Sequence, residues 1–215
     1  MIIHEKPIIF GNENLILTSQ RMVYWPKLKT IILSDLHLGK AAYFRKNGIA
    51  LPIQLSQKDL NRLDILLNYY PTEKVIIVGD LIHAGSNVEV ELFKDLTSKH
   101  SDKEFILIKG NHDRFSVKNL KWIGINQVHN ELFLEQIHFI HQPQNFIQNT
   151  ISGHVHPGVS LEFATKNRVR FPCYAVTDDE IILPAFSLFT GMDTVSLPKD
   201  GKFYAFSEEG IFELN

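Results

Sequence analysis

A single cysteine, Cys173, stands in this 215-residue chain, so no disulfide can form within it. A lone thiol fits a reducing compartment. No apolar run approaches the ~20 residues needed to cross a bilayer. The opening Met1-Ile2-Ile3-His4-Glu5-Lys6-Pro7 lacks the charged-then-apolar layout of a signal peptide. The expectation is a cytoplasmic protein without membrane association. An excess of one charge is missing too: 22 Lys and Arg face 24 Asp and Glu, a net charge of −2. That excludes a global basic field that would gather nucleic acid. Contact with a polyanion would have to be local, through Lys27/Lys29, Lys40/Arg45/Lys46 or Lys166/Arg168/Arg170. The first and third of these read as solvated surface. Repeats, low-complexity tracts and Pro-, Gly- or Ser-rich linkers are absent, so residues 1–215 read as one domain.

What is present is an ordinary globular composition, 44% hydrophobic and 21% charged, in a chain long enough to bury a core. Three continuous apolar runs, Thr30 to Leu33, Val75 to Val78 and Phe105 to Ile108, predict strands buried on both faces. Helical spacing over Pro52 to Tyr70 and Val88 to His100 predicts two helices between them, while Ala41 to Leu51 reads as a loop with a helical turn. Leu120 to Ile125 reads as a connection. The order strand, helix, strand, helix, strand implies parallel neighbours with helical crossovers. Short strands precede this unit at Ile8–Phe10, Leu15–Leu17 and Met22–Trp25. More follow it: Leu132–Leu134, Ile137–Ile140, Gly158–Phe163, Val169–Thr177, Ile181–Leu183, Phe203–Phe206 and Ile211–Leu214. The fold class expected is α/β (α+β), two mixed sheets packed face to face with helices outside.

The chemistry sits where the apolar runs stop. In open α/β sheets ligands bind beyond the carboxyl ends of the strands, and those ends carry Asp35 and His37, Asp80, and Asn111 and His112. His141 follows Ile137–Ile140, and His154 and His156 follow Thr150-Ile151-Ser152. If the chain stays extended, residues at i and i+2 point to one side, so Asp35 and His37 suit a shared metal, and His154 and His156 are again an imidazole pair at i, i+2. All seven metal candidates offer oxygen or nitrogen and none a thiolate. This speaks against a structural zinc site and for catalytic ions, Mn²⁺ first, with Fe or Zn²⁺ as alternatives. Seven side chains are too many for one tetrahedral ion and suit two, with the lone carboxylate Asp80 as the bridge. Two ions ~3.5–4 Å apart form a clamp for in-line displacement at phosphorus. His112, with Asp113 beside it to hold its ring, has the makings of a general acid. Arg45, a fork of N–H donors near the first ligands, is the candidate phosphate contact. His4, His100, His129 and His138 stand outside these motifs.

Asp35-Leu36-His37, Gly79-Asp80, Gly110-Asn111-His112-Asp113, His141 and Gly153-His154-Val155-His156 together resemble the motif set of the calcineurin-like metallophosphoesterase superfamily, in its order, over residues ~30 to 160. The resemblance implies a β-sandwich flanked by helices. It also implies one ion on Asp35, His37, Asp80 and His156 and another on Asp80, Asn111, His154 and His141. His112 would act on the phosphate oxygens or leaving group, oriented by Asp113. Leu36 to Lys40 continuing to Phe44–Ile49, Gly79 to Ala84, and Leu183-Pro184-Ala185-Phe186 with Phe189-Thr190-Gly191 are similar to the bacterial ligase-associated DNA damage response endonuclease family. That implies a DNA phosphodiesterase or endonuclease using a metal-activated hydroxide, alongside a repair ligase and helicase. The departure is His83, where many superfamily members have Asp or Asn three residues after the bridging Asp. A nucleotide or sugar-nucleotide pyrophosphatase or a phosphomonoesterase could use the same site. An inactive scaffold or a bare DNA-binding module fits the intact ligand set less well.

Overall fold

The structure is a computed structural model that describes residues 1–50, 54–85, 87–144, 148–162 and 167–214, with the backbone alone considered at 54–56. Four strands, β1 (Glu5–Phe10), β2 (Glu13–Thr18), β3 (Val23–Trp25) and β4 (Thr30–Leu33), run antiparallel in sequence. From β4 the sheet continues parallel through β5 (Lys74–Val78), β6 (Glu104–Ile108) and β7 (Gln127–His129). Between them lie α1 (Lys40–Lys46), α2 (Gln54–Tyr69), α3 (Val88–Lys99) and α4 (Val117–Trp122). The second sheet holds β8 (Glu131–Leu134), β9 (Ile137–Ile140), β10 (Thr150–Ser152), β12 (Arg168–Val176), β13 (Glu180–Ile182), β14 (Lys202–Ser207) and β15 (Gly210–Leu214), while β11 (Gly158–Glu162) pairs with β12. Its order is β15-β14-β12-β13-β10-β9-β8, with β9, β10 and β13 parallel.

The apolar runs are continuous because successive side chains enter two different cores. Ile31 and Leu33, Val75 and Ile77, and Phe105 and Leu107 face the helices and join Leu60, Leu63, Leu66, Leu67, Val90, Phe93 and Leu96. Ile32, Ile76, Val78, Ile106 and Ile108 face the second sheet and meet Ile137, Phe139, Ile151, Tyr174 and Ile181. Alternation at period two serves both faces at once. The fold class read from the sequence is the one observed: two mixed sheets face to face, with helices packed on the first.

Three differences are informative. The Ala41–Leu51 stretch forms α1, whose Asn47 cap and left-handed Gly48 end it, and Leu51 lies outside the described residues. The start expected for α2 at Pro52 and the end expected for β11 at Phe163 also lie outside them. The connection expected at Leu120 to Ile125 is helical in its first part: residues 117–122 form α4, capped by Ser116, whose hydroxyl accepts from the Asn119 N–H at 3.3 Å. Strand β7 was not expected at all. It has no apolar pattern and forms because the edge of β6 offers it hydrogen bonds.

Candidate metal centre

Each parallel strand of the centre ends in a polar residue at the seam between the sheets. Asp35 and His37 follow β4, Asp80 follows β5, and Asn111 and His112 follow β6. From the second sheet, His141 follows β9, and His154 and His156 follow β10. Two trios form: Asp35, His37 and His156, and Asp80, His141 and His154, with the ligand atoms of each within 4.8 Å of one another. Both trios therefore take ligands from both sheets.

The side chains converge by a different route from the one expected. Asp35, His37, Asp80, His154 and His156 all sit at positive φ, between +49° and +67°. The chain is not extended there, so the pleat does not align Asp35 with His37. Left-handed turns do, at the cost of backbone strain that functional sites commonly hold. The glycines of the motifs also have specific reasons. A Cβ on Gly79 would overlap the His141 ring, and one on Gly110 would overlap the Asp80 carboxylate. Gly110 is needed for space, since its φ is not positive, whereas Gly79 has both constraints at φ +81°.

In the first trio, His156 Nε2 lies 3.1 Å from Asp35 Oδ1 and 3.3 Å from His37 Nε2, and His37 Nε2 lies 3.9 Å from that same oxygen. Asp35 is fully buried, and its Oδ1 lacks a hydrogen-bond partner. A buried anionic oxygen aimed at two imidazole nitrogens calls for a cation. Burial pushes His37 down to about 3, so its ring is neutral with a lone pair to give. Burial would raise Asp35, but the close approach of His156 and the other histidines around it outweigh that and hold the carboxyl below its usual range.

In the second trio, Asp80 Oδ2 lies 3.5 Å from His141 Nε2, which is 3.2 Å from Asn111 Oδ1. His141 Nδ1 faces the Val78 carbonyl at 3.0 Å. Donation there leaves Nε2 for a ligand, the usual way a metal histidine is oriented. Burial opposes a charge on His141, yet the bond to Asp80 and the Asp35 and Asp80 charges raise it to about 9. Asp80 is held below the usual carboxylate range: burial works against this, and the His141 bond prevails. Burial and the His141 charge lower His154. Two ionised carboxylates with neutral or displaceable imidazoles suit two divalent ions.

His112 lies beside the second trio. Its backbone N–H donates to Asp80 Oδ1 at 3.0 Å, and its Nε2 is 4.0 Å from Asp80 Oδ2. Asp113 does not do what was expected of it. Its Oδ1 accepts from the Ile82 N–H and its Oδ2 from the Gly110 N–H, each at 2.9 Å. The carboxylate ties the loop after β5 to the loop after β6 through these two backbone groups. Arg45 is half-buried on α1 with Nη2 3.7 Å from Glu89 Oε1, and its Nη1 is buried without a partner among the described residues. The other Glu89 oxygen accepts from the Gly39 N–H. Lys27 and Lys29 are neutralised by Glu13, Glu135 and Glu73, as a solvated surface requires, and Arg168 pairs with Glu162. Lys166 lies outside the described residues.

Sequence reasoning missed the strap at 184–188. Ala185 bridges Ser34, Phe186 N–H donates to the Ser34 carbonyl at 2.8 Å, and Ser187 N–H donates to that of Asp35 at 3.2 Å. Buried guanidinium groups cap the strap's own carbonyls, Arg21 on Ala185 and Ser187, Arg62 on Phe186. Asp59 balances Arg62 at 3.2 Å and accepts from the Leu188 N–H. The motif signal Leu183-Pro184-Ala185-Phe186 was visible, but its brace comes from residues over a hundred positions away.

A family model described as calcineurin-like phosphoesterase matches residues 28–180, more than half of the chain and every one of the seven metal candidates. The chain belongs to the calcineurin-like phosphoesterase family. As such this phosphoesterase is a metal-dependent phosphoester hydrolase. Its structure is similar to the crystal structure of the Pseudomonas putida nuclease MPE, at 28% identity and a TM-score of 0.81, covering 98% of this chain and 100% of that one. No curated protein matches the phosphoesterase. No helix among its described residues is long and apolar enough to cross a membrane.

Proposed function

We propose that this phosphoesterase cleaves phosphodiesters of nucleic acid, DNA first, as an endonuclease. The observation that carries the reading is the pair of trios at the seam, with the His112 side chain beside them and 39% exposed. The similar Pseudomonas putida protein is named a nuclease, which supports a polymeric substrate. Asp35, His37 and His156 would hold one ion and Asp80, Asn111, His141 and His154 the other, with Asp80 as bridge and Mn²⁺ the first candidate metal. Such ions supply charge neutralisation at the phosphoryl oxygens and lower the pKa of an attacking water toward ~7. His112 positions Nε2 beside Asp80 to hold a proton for the leaving oxygen. Asp113 keeps the two loops in register so that Asp80 and His112 face the same phosphate. Arg45, its side chain partly exposed on α1, would turn its guanidinium from Glu89 to the neighbouring phosphate. The family resemblance also motivates a role in DNA repair beside a ligase and a helicase, in the cytoplasm, with residues 1–215 acting as one domain.

The test is hydrolysis of bis(p-nitrophenyl) phosphate beside p-nitrophenyl phosphate after chelation and Mn²⁺ add-back. Diester cleavage restored by Mn²⁺ is expected. In His112→Ala both ions should remain by metal analysis, while kcat falls by ~10²–10⁴-fold, the usual share of a positioned acid. Preference for the monoester, or full activity in His112→Ala, would overturn the reading.

A further inference from the structure

The histidines outside the two trios and His112 divide sharply. His4, His100, His129 and His138 each set a ring nitrogen against an oxygen: the Glu208 carbonyl at 3.0 Å, Asp64 at 2.7 Å, Gln127 at 3.0 Å and Glu131 at 2.9 Å. These bonds account for them as structural side chains. His83 has no ring hydrogen bond among the described residues, and its Nδ1 is buried without a partner.

The His83 backbone N–H donates to the Leu38 carbonyl at 2.9 Å, and its side chain packs among rings. Its centroid is 4.7 Å from that of His112, 5.6 Å from that of His37 and 5.8 Å from that of Tyr43. Tyr43 is 50% exposed on α1, the helix that begins three residues after His37. A ladder of rings thus leads from the Asp80 side of the centre through His112 and His83 to Tyr43 at the surface. Positive charge flanks it. Helix α1 carries Lys40, Arg45 and Lys46 and no acid, with Glu89 facing Arg45. Lys109 and Arg114 bracket Asn111 and His112, and the acid between them, Asp113, is buried and engaged with two backbone N–H groups. In a chain of net charge −2, this is a local basic mouth with an aromatic ladder in it.

We propose that Tyr43 and His83 seat the planar base of the nucleotide attached to the scissile phosphate. The proposal rests on the phosphodiesterase function proposed above and names the part of the substrate this surface grips. Every base has a π-face, so a tyrosine platform binds any nucleotide without reading sequence, and base–aromatic stacking is worth about 5- to 150-fold. The His83 ring, between those of Tyr43 and His112, continues the platform from the surface toward the centre.

Two chromogenic diesters test this, the p-nitrophenyl ester of thymidine 5′-monophosphate and methyl p-nitrophenyl phosphate. The bond broken is the same and only one carries a base. The Mn²⁺-loaded wild-type enzyme should favour the nucleoside ester in kcat/KM by at least about tenfold. Tyr43→Ala and His83→Ala should each bring that ratio toward one with metal content unchanged, and Tyr43→Phe should keep it. A wild-type ratio near one, or a ratio unmoved in both alanine variants, overturns this proposal and leaves the phosphodiesterase reading intact. Cleavage of neither diester, with a monoester accepted, overturns both.

Discussion

At Gly79 a missing side chain makes room for a ligand. The His141 ring occupies the volume a Cβ would take, and φ is +81°. Gly79→Ala is therefore expected to displace His141, to lower stability by more than ~1 kcal/mol, and to drop metal content toward one ion per chain. Denaturant titration and metal analysis of the purified variant would show it. His141 also sets a pH dependence. Without metal it holds its proton up to about 9, because the Asp80 bond and the nearby carboxylates outweigh burial. A ligand imidazole must be neutral, so binding the ion expels that proton. Below about 9 affinity therefore rises with pH, and above it the dependence flattens. His37, already neutral down to about 3, adds no proton in this range. Calorimetric metal titration near neutral pH, in buffers of different ionisation enthalpy, should give about one proton released per chain, and in His141→Ala none. The six residues that the structure gathers into trios could be singled out in the sequence because they follow strand ends. The task of Asp113 could not be read that way: its partner Ile82 lies 31 positions away, and adjacency to His112 suggested a contact that the fold does not make.

Among the elements, α3 does more than cross over between strands. Its cap Asn87 accepts from the Glu89 and Val90 N–H groups at 2.9 and 3.3 Å, and its amide donates to the Ala84 and Gly85 carbonyls at 3.0 and 2.6 Å. The helix start is thereby tied to the loop that carries His83, and Glu89 in its first turn grips Gly39 and Arg45. Asn87→Ala should lose about 0.5–2 kcal/mol, a fall in Tm of roughly 1–8 °C for a chain of this size. Both ions should stay bound, since the residue touches neither trio. Thermal unfolding with metal analysis checks both halves. Elements with strong patterns, β4, β5, β6, α2 and α3, could be read directly, because each buries apolar side chains on a fixed period. Helix α4 buries Leu120 alone and β7 is defined by its neighbour, so neither leaves a periodic trace.

Across the whole molecule, each trio closes the seam between the sheets. Asp35 and Asp80 come from the first sheet, His141, His154 and His156 from the second. Ions that bind only the folded chain stabilise it by mass action, about 2.7 kcal/mol per site at a hundredfold excess over Kd. Chelation from that state should lower Tm by roughly 10–20 °C. A scan with and without chelator tests it, and an unchanged Tm would mean that the trios do not hold metal in the native protein. The seam has a bearing on how such a protein comes to be loaded. A chain that has assembled its first sheet alone owns one carboxylate of each trio and, of the imidazoles, only His37, too few donors to retain an ion. The centre comes into being with the pairing of the last contributing strand, β10. The metal-to-protein ratio of a preparation therefore sets a lower bound on the share of molecules that have finished folding.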